Sequence, residues 1–281
     1  MTKLDPRLNA FRPNLADMAL KGQVEAASYI EPRNMQVIEP VIGVHKAPRF
    51  DAMQLTQALL GESVKVFAEE EGWAWVQLER DGYVGYVNAN ALSGNILLPT
   101  HRVAVPSTFM YPEPNLKTQP AVLLTLNAQV TVTGGDEKFS RLSNGRFVFT
   151  PHLKPAQSFE ADFVAVAEMF RHVPYYWGGK SVQGLDCSGL VQVALEACGR
   201  PALRDSDMQE NSLGQKLMVN DLDGLRRGDL VFWDGHVGIM RDAATLLHAN
   251  GHHMMVVAEP LKEAVDRIAA RYGQITSIKR L

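Results

Sequence analysis

The chain has 281 residues, of which 46% are hydrophobic and 21% are charged, and its formal net charge is −3. A chain of this length has room for two or three domains with a sizeable core. The mild acidity argues against a nucleic-acid partner, which would need a basic face, and no apolar run approaches the roughly 18 residues of a membrane span.

Residues 1–36 are rich in Pro, Asn and Ala, and we predict an extension that carries one short helix and packs on another part of the protein. This segment lacks the basic start, apolar stretch and small-residue cleavage site of a secretory signal. We therefore expect a cytoplasmic protein.

Residues 37–152 contain short alternating runs separated by turn residues, a pattern typical of half-buried strands. The region repeats itself at offsets of 66, 66 and 63, which align Pro48, Val66 and Gly82 with Pro114, Val132 and Gly145. A repeat of about 65 residues with about five short strands predicts two small β-barrels, at 37–96 and 97–152. Both resemble bacterial SH3 domains, the first more closely, through the stretch LLGESVKVFAEEEGWAWVQLERDGYVGYV.

Residues 153–281 change to a pattern of helices followed by strands. The stretch SFEADFVAVAEMFRHV has helical apolar spacing, with Ser158 as its N-cap and Pro174 as its stop. A second helix begins near Cys187, carries an apolar stripe and ends at Gly199. The stretches DLVFW, HVGIMR and TLLHAN then predict three consecutive antiparallel strands, which makes this region an α+β domain.

The two cysteines of the chain, Cys187 and Cys198, lie on the second predicted helix. Their separation of roughly 16 Å along the helix excludes a disulfide between them. Cys198 lies on the apolar stripe and is predicted to be a small core residue. Cys187 lies at the helix N-terminus, where the macrodipole lowers the pKa of a thiol, so it is the candidate nucleophile; the alternative is a buried structural cysteine.

Two histidines on neighbouring predicted strands supply a candidate base. A hairpin that turns around Asp242 would pair position 240 with 244 and His236 with His248, and the paired Cβ atoms would lie about 4.5–5.5 Å apart. A cysteine, a base and a third group that orients the base form an activated-nucleophile arrangement. The alternative is that each is an ordinary strand histidine.

A zinc site is a further alternative, because one cysteine, two histidines and either His252 or His253 make a plausible ligand set. The strand histidines, however, do not have metal-type spacing, and NGHHMM reads as an exposed turn. We therefore predict no metal and no cofactor.

Three blocks in the last 130 or so residues, PYYWGG with LDCSGLV, RRGDLVFWDGHVGIM, and LLHAN, resemble the signature blocks of NlpC-type cell-wall peptidases. That family is a circularly rearranged branch of the papain-like cysteine peptidases. The resemblance implies that Cys187 is the nucleophile, His236 the base and His248 the residue that orients the base. It also implies that the Tyr175 hydroxyl assists the Cys187 N–H in the oxyanion hole; the alternative for this tyrosine is a core aromatic.

Tandem SH3-like barrels joined to such a peptidase resemble the γ-D-glutamyl-L-diamino-acid endopeptidases. The resemblance implies cleavage after γ-D-Glu in peptidoglycan stem peptides that carry a free N-terminal L-Ala. Such peptides have already been released from glycan, so the expected process is cell-wall recycling and the expected partner is a peptidoglycan-derived peptide.

The same resemblance implies two groups of substrate contacts. The free amine would be held by Glu62, Tyr83 and Asp186, and the γ-D-Glu carboxylate or its neighbour by Ser188, Asp205 and Ser206. Arg204 could bind a substrate carboxylate, or could form an ion pair with Asp205 or Asp207.

Two other functions stay open on the sequence. One is a binding module for wall fragments whose peptidase domain is inactive, although the presence of Cys187, His236 and His248 favours an enzyme. The other is an amidase or acyltransferase on the same scaffold, since both would use a thioester intermediate.

Overall fold

The structure, a computed structural model, describes residues 4–218 and 222–281. The chain divides into two compact units, one up to Gln157 and the other from Ser158 to Leu281. The first three residues of the predicted N-terminal extension lie outside the described residues. Within the described part of the chain, no helix is long and apolar enough to cross a membrane.

The first unit is built almost entirely from strands. Its 3-10 helices span Met18–Leu20, Ala89–Ala91 and Thr150–His152. Its strands are β1 (Phe11–Arg12), β2 (Leu15–Asp17), β3 (Tyr29–Ile30), β4 (Arg33–Val37), β5 (Val41–His45), β6 (Gln54–Leu59), β7 (Ser63–Glu70), β8 (Trp73–Leu78), β9 (Val84–Asn88), β10 (Leu92–Ser93), β11 (His101–Val103), β12 (Ser107–Tyr111), β13 (Val122–Thr125), β14 (Gln129–Val130), β15 (Val132–Gly135), β16 (Phe139–Leu142), β17 (Phe147–Phe149) and β18 (Leu153–Pro155).

The N-terminal segment is more strand-like than its sequence predicts. Strands β1 to β3 form a small sheet of their own, and the short helix predicted in this segment is the 3-10 turn at Met18–Leu20. Strand β4 crosses the predicted boundary at residue 36 and pairs along β7, with Arg33 opposite Val66.

The internal repeat corresponds to a repeated strand order. One sheet of the first unit runs β10-β4-β7-β8-β9-β5-β6, and a second runs β15-β16-β17-β12-β13, so both contain the same succession of five strands. Gly82 and Gly145, aligned by the sequence repeat, both have a left-handed backbone, with φ of 77° and 79°, in the turn before the third strand of that succession. A residue with a Cβ is strained there, which explains the glycine in both copies.

The second unit carries the α-helices of the described chain. Its elements are α1 (Phe163–Glu168), β19 (Lys180–Ser181), β20 (Gly184–Leu185), α2 (Cys187–Ala197), α3 (Ser206–Ser212), β21 (Gln215–Lys216), β22 (Leu230–Trp233), β23 (His236–Met240), β24 (Thr245–Asn250), β25 (Met255–Pro260), α4 (Leu261–Tyr272) and β26 (Ser277–Arg280). The predicted N-cap of the first helix, Ser158, is wrong: Asp162 caps α1 by accepting from the N–H groups of Val164 and Ala165.

A six-stranded antiparallel sheet forms the centre of the second unit, in the order β21-β26-β22-β23-β24-β25. The three consecutive strands predicted from the sequence are its β22, β23 and β24. Helix α4 packs its buried residues Leu261 and Ile268 into a core with Trp233, Met240 and Leu246 from those strands. The sheet and α4 thereby fix the positions of the side chains that form the candidate site.

Candidate active site

A glycine-rich turn leads into α2 and presents Cys187 as the first residue of that helix. A Cβ on Gly189 would lie 2.1 Å from the carbonyl oxygen of Gly179, and one on Gly179 would lie 2.4 Å from the carbonyl oxygen of Gly184. Side chains cannot approach backbone this closely, so the turn requires glycine at these positions. The glycines of the sequence motif thus let the backbone fold tightly around the start of α2.

Asp186 stabilises the start of α2 through hydrogen bonds to both of its carboxylate oxygens. As the N-cap it accepts the Gly189 N–H at 2.7 Å with Oδ1, and Oδ2 accepts the Gly178 N–H at 2.8 Å. The guanidinium of Arg204, whose side chain is only 1% exposed, donates to both oxygens at 3.0 and 2.6 Å. The sequence reasoning did not consider this buried ion pair, which places Arg204 next to the residue before Cys187.

The Cys187 thiol lies against the start of β23. Its Sγ is 4.0 Å from the carbonyl oxygen of Gly235, and the N–H of Val237 acts to lower the pKa of the thiol. These two residues flank His236 directly in the chain. The start of β23, which carries His236, therefore lies beside the Cys187 thiol. Direct contact between the His236 ring and the thiol stays a prediction.

The two histidines meet, but in a different strand register. Met240 pairs with Leu246 rather than with the predicted Ala244, so the predicted register is wrong by two residues. A shift of two keeps every side chain on the same face of a sheet. His236 and His248 are therefore diagonal neighbours, with Nε2 of the first 2.8 Å from Nδ1 of the second and their ring centroids 5.0 Å apart.

The buried surroundings favour neutral forms of both the thiol and its base. Burial, followed by the negative charge of Asp186, raises the pKa of Cys187 to about 12, although N–H groups of Val237 and Ser188 act in the opposite direction. Burial and the neighbouring His248 and Arg267 lower the pKa of His236 to about 3. Burial and the charge of Asp186 therefore oppose the thiolate that the helix N-terminus favours.

Beyond the histidines lies an ion pair that the sequence reasoning missed. His248 Nε2 is 2.6 Å from Glu259 Oε1, and Arg267 contacts both carboxylate oxygens of Glu259 at 2.6 Å. Glu259 pairs with Leu246, which lies two residues before His248 on β24. Because side chains of a strand alternate between the two faces of the sheet, this pairing places Glu259 on the same face as His248. His236, His248 and Glu259 consequently share one face of the sheet.

The remaining predicted residues of the second unit surround the start of α2. The Ser188 hydroxyl accepts from Arg204 Nη1 at 2.8 Å and lies 3.4 Å from Asp186 Oδ1. Asp205 is the N-cap residue of α3, Ser206 is its first residue, and both are partly exposed. Burial, then Cys187 and Asp186, raises the pKa of Tyr175, so the phenol keeps its proton and is available as a hydrogen-bond donor.

Comparisons with known proteins match both units. Residues 44–92 match the family described as bacterial dipeptidyl-peptidase SH3 domain, and residues 172–270 match the NlpC/P60 family. The chain therefore contains a bacterial SH3 domain and an NlpC/P60 cysteine-peptidase domain. The second match includes Cys187, His236, His248 and Glu259.

Two curated relatives match more than half of the chain. The γ-D-glutamyl-L-lysine dipeptidyl-peptidase of Bacillus subtilis is 28% identical over 69% of this chain and 71% of its own length. A protein of the same name from Bacillus cereus is 27% identical over 63% of this chain and 59% of its own length.

Solved structures support the fold. An NlpC/P60 family protein from Bacillus cereus has a TM-score of 0.72 at 21% identity, covering 88% of this chain and 99% of its own. An NlpC/P60 endopeptidase from Photobacterium damselae subsp. piscicida has a TM-score of 0.62 at 13% identity, covering 88% of this chain and 71% of its own. At these identities the likeness concerns the fold alone.

Tyr83 and Glu62 belong to the SH3 domain, within the first unit. Tyr83 is 3% exposed and its N–H donates to Asp81 Oδ1 at 3.0 Å. Glu62 is 2% exposed, and its Oε1 lies 3.4 Å from Arg80 Nε. These contacts give Glu62 a partner inside its own unit, and its contact with a substrate amine stays a prediction.

His252 and His253 lie in the turn between β24 and β25, as predicted. Their N–H groups donate to Asn250 Oδ1 at 3.1 and 2.8 Å, which shapes the turn. Over the described parts of the chain, no group of three or more His, Cys, Asp or Glu side chains is arranged to hold a metal ion.

The protonation states make a prediction about alkylation of the NlpC/P60 domain. In a Cys198→Ala background, we expect the rate at which iodoacetamide modifies Cys187 to rise about tenfold per pH unit between about pH 7 and pH 9. The reason is that only the thiolate reacts and its fraction grows tenfold per unit below a raised pKa. Mass spectrometry of timed samples measures this rate, and a rate that is flat over the same range would reveal a preformed thiolate–imidazolium pair.

Proposed function

We propose that the protein is a cysteine endopeptidase that cleaves the γ-D-Glu–L-diamino acid bond of peptidoglycan stem peptides with a free N-terminal L-Ala. The observation that carries the proposal is the Cys187 thiol at the start of α2, held against the residues that flank His236, with that histidine bonded to His248. The names of the two Bacillus relatives support the γ-D-glutamyl specificity.

The geometry supports a mechanism that starts from a neutral pair. As Sγ of Cys187 bonds to the γ-carbonyl carbon, His236 takes the thiol proton, so the charges form only when the bond forms. The negative oxygen of the tetrahedral intermediate accepts hydrogen bonds from the Cys187 N–H, which has no partner within the helix, and from the Tyr175 hydroxyl.

The second half of the reaction returns the enzyme to its starting state. His236 gives its proton to the nitrogen of the diamino acid as the C–N bond breaks, which leaves a thioester on Cys187. His236 then takes a proton from water as its oxygen attacks the thioester carbon. The C–S bond breaks, the sulfur recovers its proton, and the products are L-Ala-D-Glu and a peptide that begins with the diamino acid.

Recognition of the free amine is a further part of the proposal. Glu62, Tyr83 and Asp186 are its proposed ligands, and an ammonium gains roughly 1.5–3 kcal/mol from each hydrogen bond to a charged group. Ser188, Asp205 and Ser206 are the proposed contacts of the γ-D-Glu carboxylate. Because a free amine exists only on peptides released from glycan, we propose a role in wall recycling in the cytoplasm.

We also propose that residues 97–152 form a second, diverged SH3-like barrel. The support is the strand order that this region shares with the first barrel and its aligned glycine turns.

A defined peptide panel tests the proposed specificity. We expect hydrolysis of L-Ala-γ-D-Glu-L-Lys and of its diaminopimelate counterpart, with mass-spectrometric detection of L-Ala-D-Glu. N-acetylation of the alanine should slow cleavage at least about tenfold, because it removes the charge-assisted bonds. Digestion of intact sacculi would contradict the recycling role, and tight binding of the fragments without turnover would instead support the inactive wall-fragment-binding module.

A further inference from the structure

The second ring nitrogen of His248 has polar neighbours on two sides. The His248 side chain is 0% exposed, and its Nε2 has two polar neighbours, Glu259 Oε1 at 2.6 Å and Asn250 Nδ2 at 2.9 Å. The first neighbour accepts hydrogen bonds and the second donates them. The two therefore demand opposite protonation of the same nitrogen.

Glu259 is held as a carboxylate. Burial raises its pKa, but hydrogen bonds from His248 and Arg267 outweigh burial and lower the pKa to about 2. The Arg267 guanidinium forms a bidentate ion pair with both carboxylate oxygens of Glu259, and His253 Nδ1 lies 4.0 Å from Oε1. An ionised carboxylate 2.6 Å from a ring nitrogen requires a proton between them, and that proton is on Nε2 of His248.

The position of this proton determines the protonation of the catalytic base. With Nε2 protonated, neutral His248 has a lone pair on Nδ1, which accepts the Nε2–H of His236 across 2.8 Å. His236 then has its own lone pair on Nδ1, its other ring nitrogen, which the proposed mechanism needs as the base. We propose that Glu259, clamped by Arg267, is a positioning residue that imposes this tautomer on both histidines against the competing amide of Asn250.

Asn250 is fixed in the competing orientation. Its Oδ1 accepts the N–H groups of His252 and His253, so its NH₂ group is turned toward His248. Without Glu259, this NH₂ would donate to Nε2 of His248 and move the proton to Nδ1. His248 would then donate to His236 Nε2, leaving Nδ1 of His236 protonated and unable to act as the base of the proposed mechanism.

The test compares Glu259→Ala, Asn250→Ala and the double variant in the full chain. Protein with ¹⁵N-labelled histidine reports the tautomers of both rings by NMR at neutral pH, and peptide hydrolysis gives kcat. We expect Glu259→Ala to switch both rings and to lower kcat by about 10²–10⁴-fold, since a wrong tautomer costs up to about 10⁴-fold in a comparable triad. Adding Asn250→Ala should restore the original tautomer in part and raise kcat at least about fivefold above the single variant.

A structural role for Glu259 predicts different results. If the carboxylate only stabilises the fold, the second substitution lowers activity further and the tautomers do not change; either result would overturn the proposal. Urea unfolding checks that each variant is folded, and Asp266→Ala, which removes an exposed acid from α4, the helix that carries Arg267, is the control. The kcat comparison rests on the proposed peptidase function, whereas the NMR comparison decides the role of Glu259 even if no peptide is cleaved.

Discussion

Replacing Cys187 with alanine is expected to reduce cleavage of L-Ala-γ-D-Glu-L-Lys by at least about 10³-fold, because no other group can form the thioester. Helix α2 should remain in place, since Asp186 caps it through its own side chain. A coupled assay for the released L-Ala-D-Glu measures the loss.

The second cysteine provides the matched control. Cys198 is the C-cap residue of α2, partly exposed and at the opposite end of the helix from the nucleophile. We expect Cys198→Ala to retain kcat within about twofold and to lower the free energy of unfolding by about 1 kcal/mol at most, as is usual for a partly exposed residue. Substantial turnover by Cys187→Ala, or an equal loss in both variants, would contradict the assigned nucleophile.

The strands and the nucleophile helix were predictable because local signals are strong there. Alternation in DLVFW, HVGIM and TLLHAN corresponds to β22, β23 and β24, and Gly199 follows the helix end with a left-handed φ of 69°. These features depend on near neighbours in the chain, and near neighbours are what a single sequence reports best.

The strand register was harder to predict because it depends on the turn. Asp242 Oδ1 accepts the N–H groups of Ala244 and Thr245 at 2.9 and 2.8 Å, which widens the connection and moves the pairing by two residues. The predicted contact between His236 and His248 is nevertheless present, because every second residue of a strand lies on the same face of the sheet. An odd shift would have separated the two rings.

The electrostatics were not accessible from the sequence. A helix N-terminus argues for a lowered thiol pKa, but the extent of burial and the proximity of Asp186 appear only in three dimensions, and together they raise it. The same holds for Glu259, whose partners His248 and Arg267 come from a strand and a helix. The sequence predicts the reacting groups, and burial within the fold acts on the charges that these groups have at rest.

Arg204→Met is expected to lower the free energy of unfolding by about 3–5 kcal/mol. The substitution keeps most of the side-chain volume but leaves the Asp186 carboxylate buried without the guanidinium that contacts both of its oxygens. Urea unfolding followed by tryptophan fluorescence measures the change. Arg200→Met, at an exposed position just after the end of α2, should change stability by no more than about 0.5 kcal/mol.

The double variant Asp186→Asn/Arg204→Met distinguishes the buried charge from lost packing. Asparagine at position 186 can still accept the Gly189 N–H as an N-cap. It also removes the carboxylate charge that Arg204→Met would leave buried without a partner. We therefore expect the double variant to be more stable than Arg204→Met alone by at least about 1 kcal/mol. Additive losses would mean that packing around the arginine matters more than its charge. A double variant more stable than Arg204→Met would show that Arg204 is needed chiefly to neutralise the Asp186 carboxylate. That carboxylate caps the start of α2, directly before Cys187.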